Sequence, residues 1–146
     1  KNGHLRLLKW LHANRSEGCT TDAIDEAAGN GHLSVVEWLW INRDEGCTSE
    51  AMDSAAQHGH LNVMEWLHAR PSHKGCTQAA MNCAAKNGHL SAVEWLHVNC
   101  FERCIPNHDK GSKEAMNLAS GNGHLVVVQW LHANRSEGCT TRAMDQ

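Results

Sequence analysis

The chain has 146 residues, of which 41% are hydrophobic and 20% charged, with a formal net charge of −3, only two prolines and no tyrosine. That composition fits an ordered chain, and no apolar run approaches the 18 or more residues of a membrane-spanning helix. Its Lys and Arg residues are scattered, without the clustering of a nucleic-acid surface, so neither DNA, RNA nor membrane is expected as a partner.

Gly-His-Leu occurs five times, at Gly3-His4-Leu5, Gly31-His32-Leu33, Gly59-His60-Leu61, Gly88-His89-Leu90 and Gly123-His124-Leu125, with steps of 28, 28, 29 and 35 residues. A period in this range belongs to stacked supersecondary units, each unable to bury its apolar face alone. The expected class is all-α, an α-solenoid of helix-turn-helix units. In chain order, a half unit at 1–14 carries a second helix alone. Helix pairs follow at about 20–42, 48–70, 77–99 and 112–134, with an inserted loop at about 100–112, and a half unit at 140–146 carries a first helix alone. Because the sequence begins and ends inside units, without an initiator Met or signal peptide, it is expected to be a segment of a longer array.

Four of the five first helices are preceded by a threonine, Thr20, Thr48, Thr77 or Thr140, suited to accept an N–H of the first turn. Asp22 or Glu50 two residues later complements the helix dipole. At 100° per residue, Ala23, Ile24, Ala27 and Ala28 share one arc of the first helix, and Asp22, Asp25, Glu26 and Gly29 the open one. The second helix, with Val35, Val36, Trp38 and Leu39 around most of its girth and a narrow polar slot at Ser34 and Glu37, must be covered on several sides. Trp10, Trp38, Trp66, Trp95 and Trp130 stand next to the inward Leu, which predicts that they fill the core.

The pattern Thr-x-x-Ala-Met-Asp-x-Ala-Ala-x-x-Gly-His-Leu-x-Val-Val-x-Trp-Leu resembles the ankyrin repeat, in which a Thr-Pro-Leu-His-x-Ala-Ala turn and helix lead into a Gly-His helix. The chain departs from that family at three positions. Ala23, Ala51, Ala80 and Ala115 replace the Pro, Met or Ile replaces the Leu, and Asp25, Asp53, Asn82, Asn117 and Asp145 replace the His. The units fall about five residues short of the roughly 33 of the family. The shortfall lies after the second helix, so the β-hairpin fingers are expected to shrink to turns such as Arg15-Ser16-Glu17-Gly18.

Seven cysteines include the repeated Cys19, Cys47, Cys76 and Cys139. Units stacked about 10 Å apart leave these too distant for disulfides, so they read as small buried side chains in a reduced, intracellular and cytoplasmic setting. The histidines read as structural: five belong to the Gly-His turns, and His12, His68, His97 and His132 close the Trp-Leu-His runs, where the second unit carries Trp40. One further group, His97, Cys100, Cys104 and His108 at i, i+3, i+7 and i+11, has zinc-ligand chemistry on a single helical face. Pro106 interrupts any such helix, and the extra seven residues (35 − 28) with Asn107-His108-Asp109-Lys110-Gly111 read better as a loop.

No nucleophile-base order, phosphate-cradling glycine loop or carboxylate pair stands out, so no enzyme, cofactor or small-molecule substrate is expected. The resemblance implies a protein-interaction scaffold whose first helices present a concave face to a protein partner. The expected contact residues are those that vary from unit to unit on that face: Asp22, Glu26, Glu50, Ser54, Gln57, Cys83, Lys86, Glu114, Leu118 and Arg142. The rival readings are a metal- or redox-responsive module on Cys100, Cys104 and His108, and the substrate-recognition segment of a larger enzyme.

Overall fold

Alanines four apart on the first helix of each unit, and Val, Met and Leu on the second, dictate two helices that bury a shared stripe. The computed structural model describes residues 3–14, 20–70, 74–100 and 108–134. Within these it has α1 (Gly3–Asn14), α2 (Asp22–Gly29), α3 (Leu33–Asn42), α4 (Ser49–Gln57), α5 (Leu61–His68), α6 (Gln78–Lys86), α7 (Leu90–Asn99), α8 (His108–Gly121) and α9 (Leu125–Asn134). Among the described residues there is no strand. The connection from α3 to α4 spans Arg43 to Thr48 without a finger and turns at Gly46, φ +71°. The Arg15–Gly18 turn, Cys19, Cys104, Cys139, Thr140, Asp145 and the half unit at 140–146 lie outside the described residues.

Each first helix ends in the same way. In the second turn, Gly59 has φ +73°, the His60 N–H donates to the Ala55 carbonyl at 2.9 Å and the Gly59 N–H to that of Ala56 at 3.2 Å. This is a Schellman closure, and the left-handed residue it needs explains the Gly of Gly-His-Leu. Asparagines then seal helix ends: Asn42 Nδ2 donates to the Trp38 carbonyl at 2.8 Å and Asn99 Nδ2 to that of Trp95 at 2.9 Å.

The core runs through the whole stack. Ala51, Met52, Ala55 and Ala56 of α4 and Val63, Met64 and Leu67 of α5 are buried, as are their equivalents in α6 and α7, and in α2 and α3 all but Ala23 and Val35, which are half-buried. First helices pack closely on one another in the order α2, α4, α6, α8, whereas α1, α3, α5, α7 and α9 meet more sparsely. Small side chains cause the difference: a Cβ on Gly29 would lie 3.0 Å from Ser54 Cβ. The first helices therefore form the side on which neighbouring units approach most closely.

Several expectations need correction. Thr48 and Thr77 are N-caps, accepting from the Glu50 N–H at 3.0 Å and the Ala79 N–H at 3.1 Å. Thr20 is not: α2 starts one residue later, after Thr21, which is helical and makes no side-chain cap. Asp25, placed on the open arc by its helical angle, is only 6% exposed. The tryptophans rim the core instead of filling it: Trp38, Trp66, Trp95 and Trp130 are half-buried and Trp10 is 59% exposed. Finally, α8 begins at His108, so the inserted loop ends earlier than position 112.

Candidate functional site

Asp25 is buried because it belongs to two units at once. Its Oδ1 accepts the Thr48 backbone N–H at 3.0 Å and its Oδ2 the Thr48 hydroxyl at 2.6 Å. Asp53 repeats this with Thr77 at 2.8 Å and 2.6 Å. The carboxylate that replaces the family's His thus holds the cap of the next first helix, and that cap holds the helix. Burial pushes the Asp53 carboxyl up from its ordinary value, opposed by its two hydrogen bonds to Thr77.

This tether sets α2 and α4 side by side and leaves a groove of about 460 Å³ between them, lined by Asp22, Asp25, Glu26, Gly29, Asn30, Thr48, Glu50, Ser54 and His58. Asp22, Glu26 and Glu50 are exposed in it, and Ser54 is half-buried against Gly29. Glu26 and Ser54 occupy equivalent positions of successive units, as do Asp22 and Glu50, so the groove follows from the repeat. Its negative charge follows from side chains that the repeat leaves free to vary.

Four expected contact residues, Asp22, Glu26, Glu50 and Ser54, therefore meet in one place. Gln57, Lys86 and Glu114 are exposed and Cys83 and Leu118 half-buried, on α4, α6 and α8 beyond the groove. Arg142 lies outside the described residues. Sequence reasoning missed Asp25, Gly29, Asn30, Thr48 and His58 in the lining. His58 carried a usable signal, since it takes the closing position held by Asn30, Asn87 and Asn122. Its Nδ1 stands 2.9 Å from the Ser54 carbonyl, where the asparagines place an amide.

The remaining chemistry-bearing residues are packed into the stack. His12 lies edge-on to Trp38, His68 to Trp95 and His97 to Trp130, with centroids 5.1, 5.1 and 5.2 Å apart. Trp40 takes the same role against Trp66 at 5.7 Å, which explains why Trp can stand for His there. Helix α7 ends at Asn99, and Cys100 is the first residue beyond it. Cys104 and the side chain of His108 lie outside what is described. Cys47, Cys76 and Cys100 are buried and Cys83 is half-buried. Burial, then the Asp25 charge, push the Cys47 thiol up, which disfavours the reactive thiolate.

No described helix is long and apolar enough to cross a membrane. Residues 52–142 match a family model of ankyrin repeats in three copies, and residues 1–39 match a second model of ankyrin repeats in many copies. No curated protein matches the chain at a significant level. With both models covering most of its length, the chain belongs to the ankyrin-repeat family.

Proposed function

We infer that this ankyrin-repeat chain is a non-enzymatic interaction module that takes a protein partner across the concave face of α2, α4, α6 and α8, and that the groove between α2 and α4 anchors a basic segment of that partner. Ankyrin repeats are generally protein–protein interaction modules. The observation that carries the finer reading is the convergence of Asp22, Glu26 and Glu50 in one groove between adjacent first helices. One short helix offers too little area for the roughly 800 Å² per partner of a standard interface, so contact must extend over several units. Gln57, Lys86, Glu114 and Leu118 continue the surface. The thiols of Cys47, Cys76, Cys83 and Cys100 support a reducing, intracellular setting.

The test uses fluorescence anisotropy with a labelled Lys/Arg-rich peptide and affinity capture of partner proteins. Glu26→Lys and Glu50→Lys should each weaken both signals about tenfold, with helical content unchanged, because each places a like charge against the ligand. Lys86→Glu should alter capture of the full partner more than binding of the short peptide. Glu65→Lys, on the exposed side of α5, is the control. Loss of capture in the control with none in the groove variants overturns the reading.

A further inference from the structure

The Gly-His-Leu turns build a second feature, which meets the groove only at His58. A Cβ on Gly31 would fall 2.6 Å from His60 Nδ1, one on Gly59 2.7 Å from His89 Nδ1, and one on Gly88 2.5 Å from His124 Nδ1. Each imidazole is thus seated on the bare backbone of the preceding turn, and His32, His60, His89 and His124 form a column through the stack. In its middle stands His58. Its ring is stacked with that of His60, centroids 6.1 Å apart and planes inclined by 24°. Two neutral imidazoles tolerate that spacing, but two imidazolium ions so placed repel one another.

We infer that this imidazole column is an acid-sensitive seam of the array: protonation of His60 and its neighbours loosens the contact between the unit of α2 and α3 and the unit of α4 and α5, and His58 sets how strongly.

The groups that face the pair fix the direction. Around His60 are the Gly29 backbone, to which its ring hydrogen-bonds, His32 from the preceding turn, His58 from α4 and His89 from the following turn. Burial first, then the His58 charge, hold His60 below the ordinary imidazole value, against the hydrogen bond to Gly29. His58 shares its groove with Asp22, Asp25 and Glu26 from α2 and Glu50 from α4, while Lys86 is the cation in the last turn of α6. A base whose folded value is depressed contributes stability above its unfolded value of about 6.5, lost as pH falls through the folded value. Acidification from pH 7 to pH 5 crosses that window. The raised Asp53 carboxyl has the opposite sign, and it acts in the carboxylate range below.

The test combines an NMR titration of the histidine rings with hydrogen exchange of the α2 to α5 amides at pH 7 and pH 5, corrected for intrinsic rates. His60 should titrate below about 6.5, and corrected exchange should accelerate about tenfold at pH 5. His58→Asn keeps an amide at the closing position, as at Asn30, Asn87 and Asn122. It should move the His60 midpoint upward and cut the acid acceleration by more than half. The carboxylates are common to both proteins, so the difference reports the imidazoles. A His60 midpoint at or above 6.5 in the parent protein, or equal acceleration in the parent and His58→Asn, overturns the inference.

Discussion

Asp53 grips Thr77 at two points, its Oδ1 2.8 Å from the backbone N and its Oδ2 2.6 Å from the hydroxyl oxygen, although the two residues belong to different units. The grip makes the N-cap of α6 depend on α4, so the tether transmits order along the stack. Hydrogen bonds to a charged group contribute about 1.5–3 kcal/mol each, and a lost cap about 1 kcal/mol. Asp53→Ala should therefore cost about 2–4 kcal/mol in denaturant melts. Asp53→Asn keeps an acceptor for the Thr77 N–H and should cost clearly less, in line with Asn82 and Asn117 at the same register. Equal losses for Ala and Asn would show that the carboxylate does not anchor the cap.

Two glycines with the same backbone conformation separate torsional strain from crowding. Gly46 and Gly59 have φ of +71° and +73°. Around a Cβ on Gly46 nothing lies within 4 Å, while one on Gly59 would meet the His89 ring at 2.7 Å. Gly46→Ala should cost only the left-handed penalty of about 1–2 kcal/mol. Gly59→Ala should cost more, about 2–4 kcal/mol, because the ring of the next unit must also shift. Thermal melts at neutral pH check the ranking, and equal losses would show that the ring moves aside freely.

Thiol reactivity should follow burial. Cys47, Cys76 and Cys100 are buried in the stack, Cys83 is half-buried on α6, and burial raises the Cys47 thiol. In folded protein under reducing conditions, Cys83 should alkylate first and Cys47 at least about tenfold slower, since attack requires both an opening of the stack and a thiolate. Peptide mapping after a timed iodoacetamide pulse measures this. Cys47 labelling as fast as Cys83 would refute it.

The period of Gly-His-Leu exposed the helix pairs because a left-handed turn residue and an apolar stripe both depend on local spacing. Helical angle alone misread Asp25. It reports which side of its own helix a residue occupies, and the start of the next first helix happens to lie there. The same limit affected the tryptophans, whose place beside the inward Leu does not say how far an indole reaches past the core. Unit-to-unit variation found Asp22, Glu26, Glu50 and Ser54, the free edges of the groove. Its floor, Asp25, Gly29 and Thr48, stayed hidden because those residues serve the scaffold, and only the packed pair of α2 and α4 turns them into a lining.

The tryptophans test whether stability is shared between neighbouring units. Trp66 meets the edge of Trp40 in the preceding unit at 5.7 Å and 88°, and the Arg70 guanidinium carbon lies 3.8 Å from its ring centroid. Trp10 is 59% exposed on α1. Truncating a half-buried indole with both an aromatic and a cation–π contact should cost about 2–4 kcal/mol, whereas Trp10→Ala should cost under about 1 kcal/mol, as surface changes do. A double-mutant cycle of Trp40→Ala and Trp66→Ala should return a coupling of about 0.5–1.5 kcal/mol, the worth of an aromatic pair across the unit boundary. Chemical denaturation of the four proteins and of Trp10→Ala supplies every number. Equal losses for Trp10 and Trp66, with no coupling between Trp40 and Trp66, would mean that the units are stabilised one by one and that the rim of the second helices carries no stacking energy.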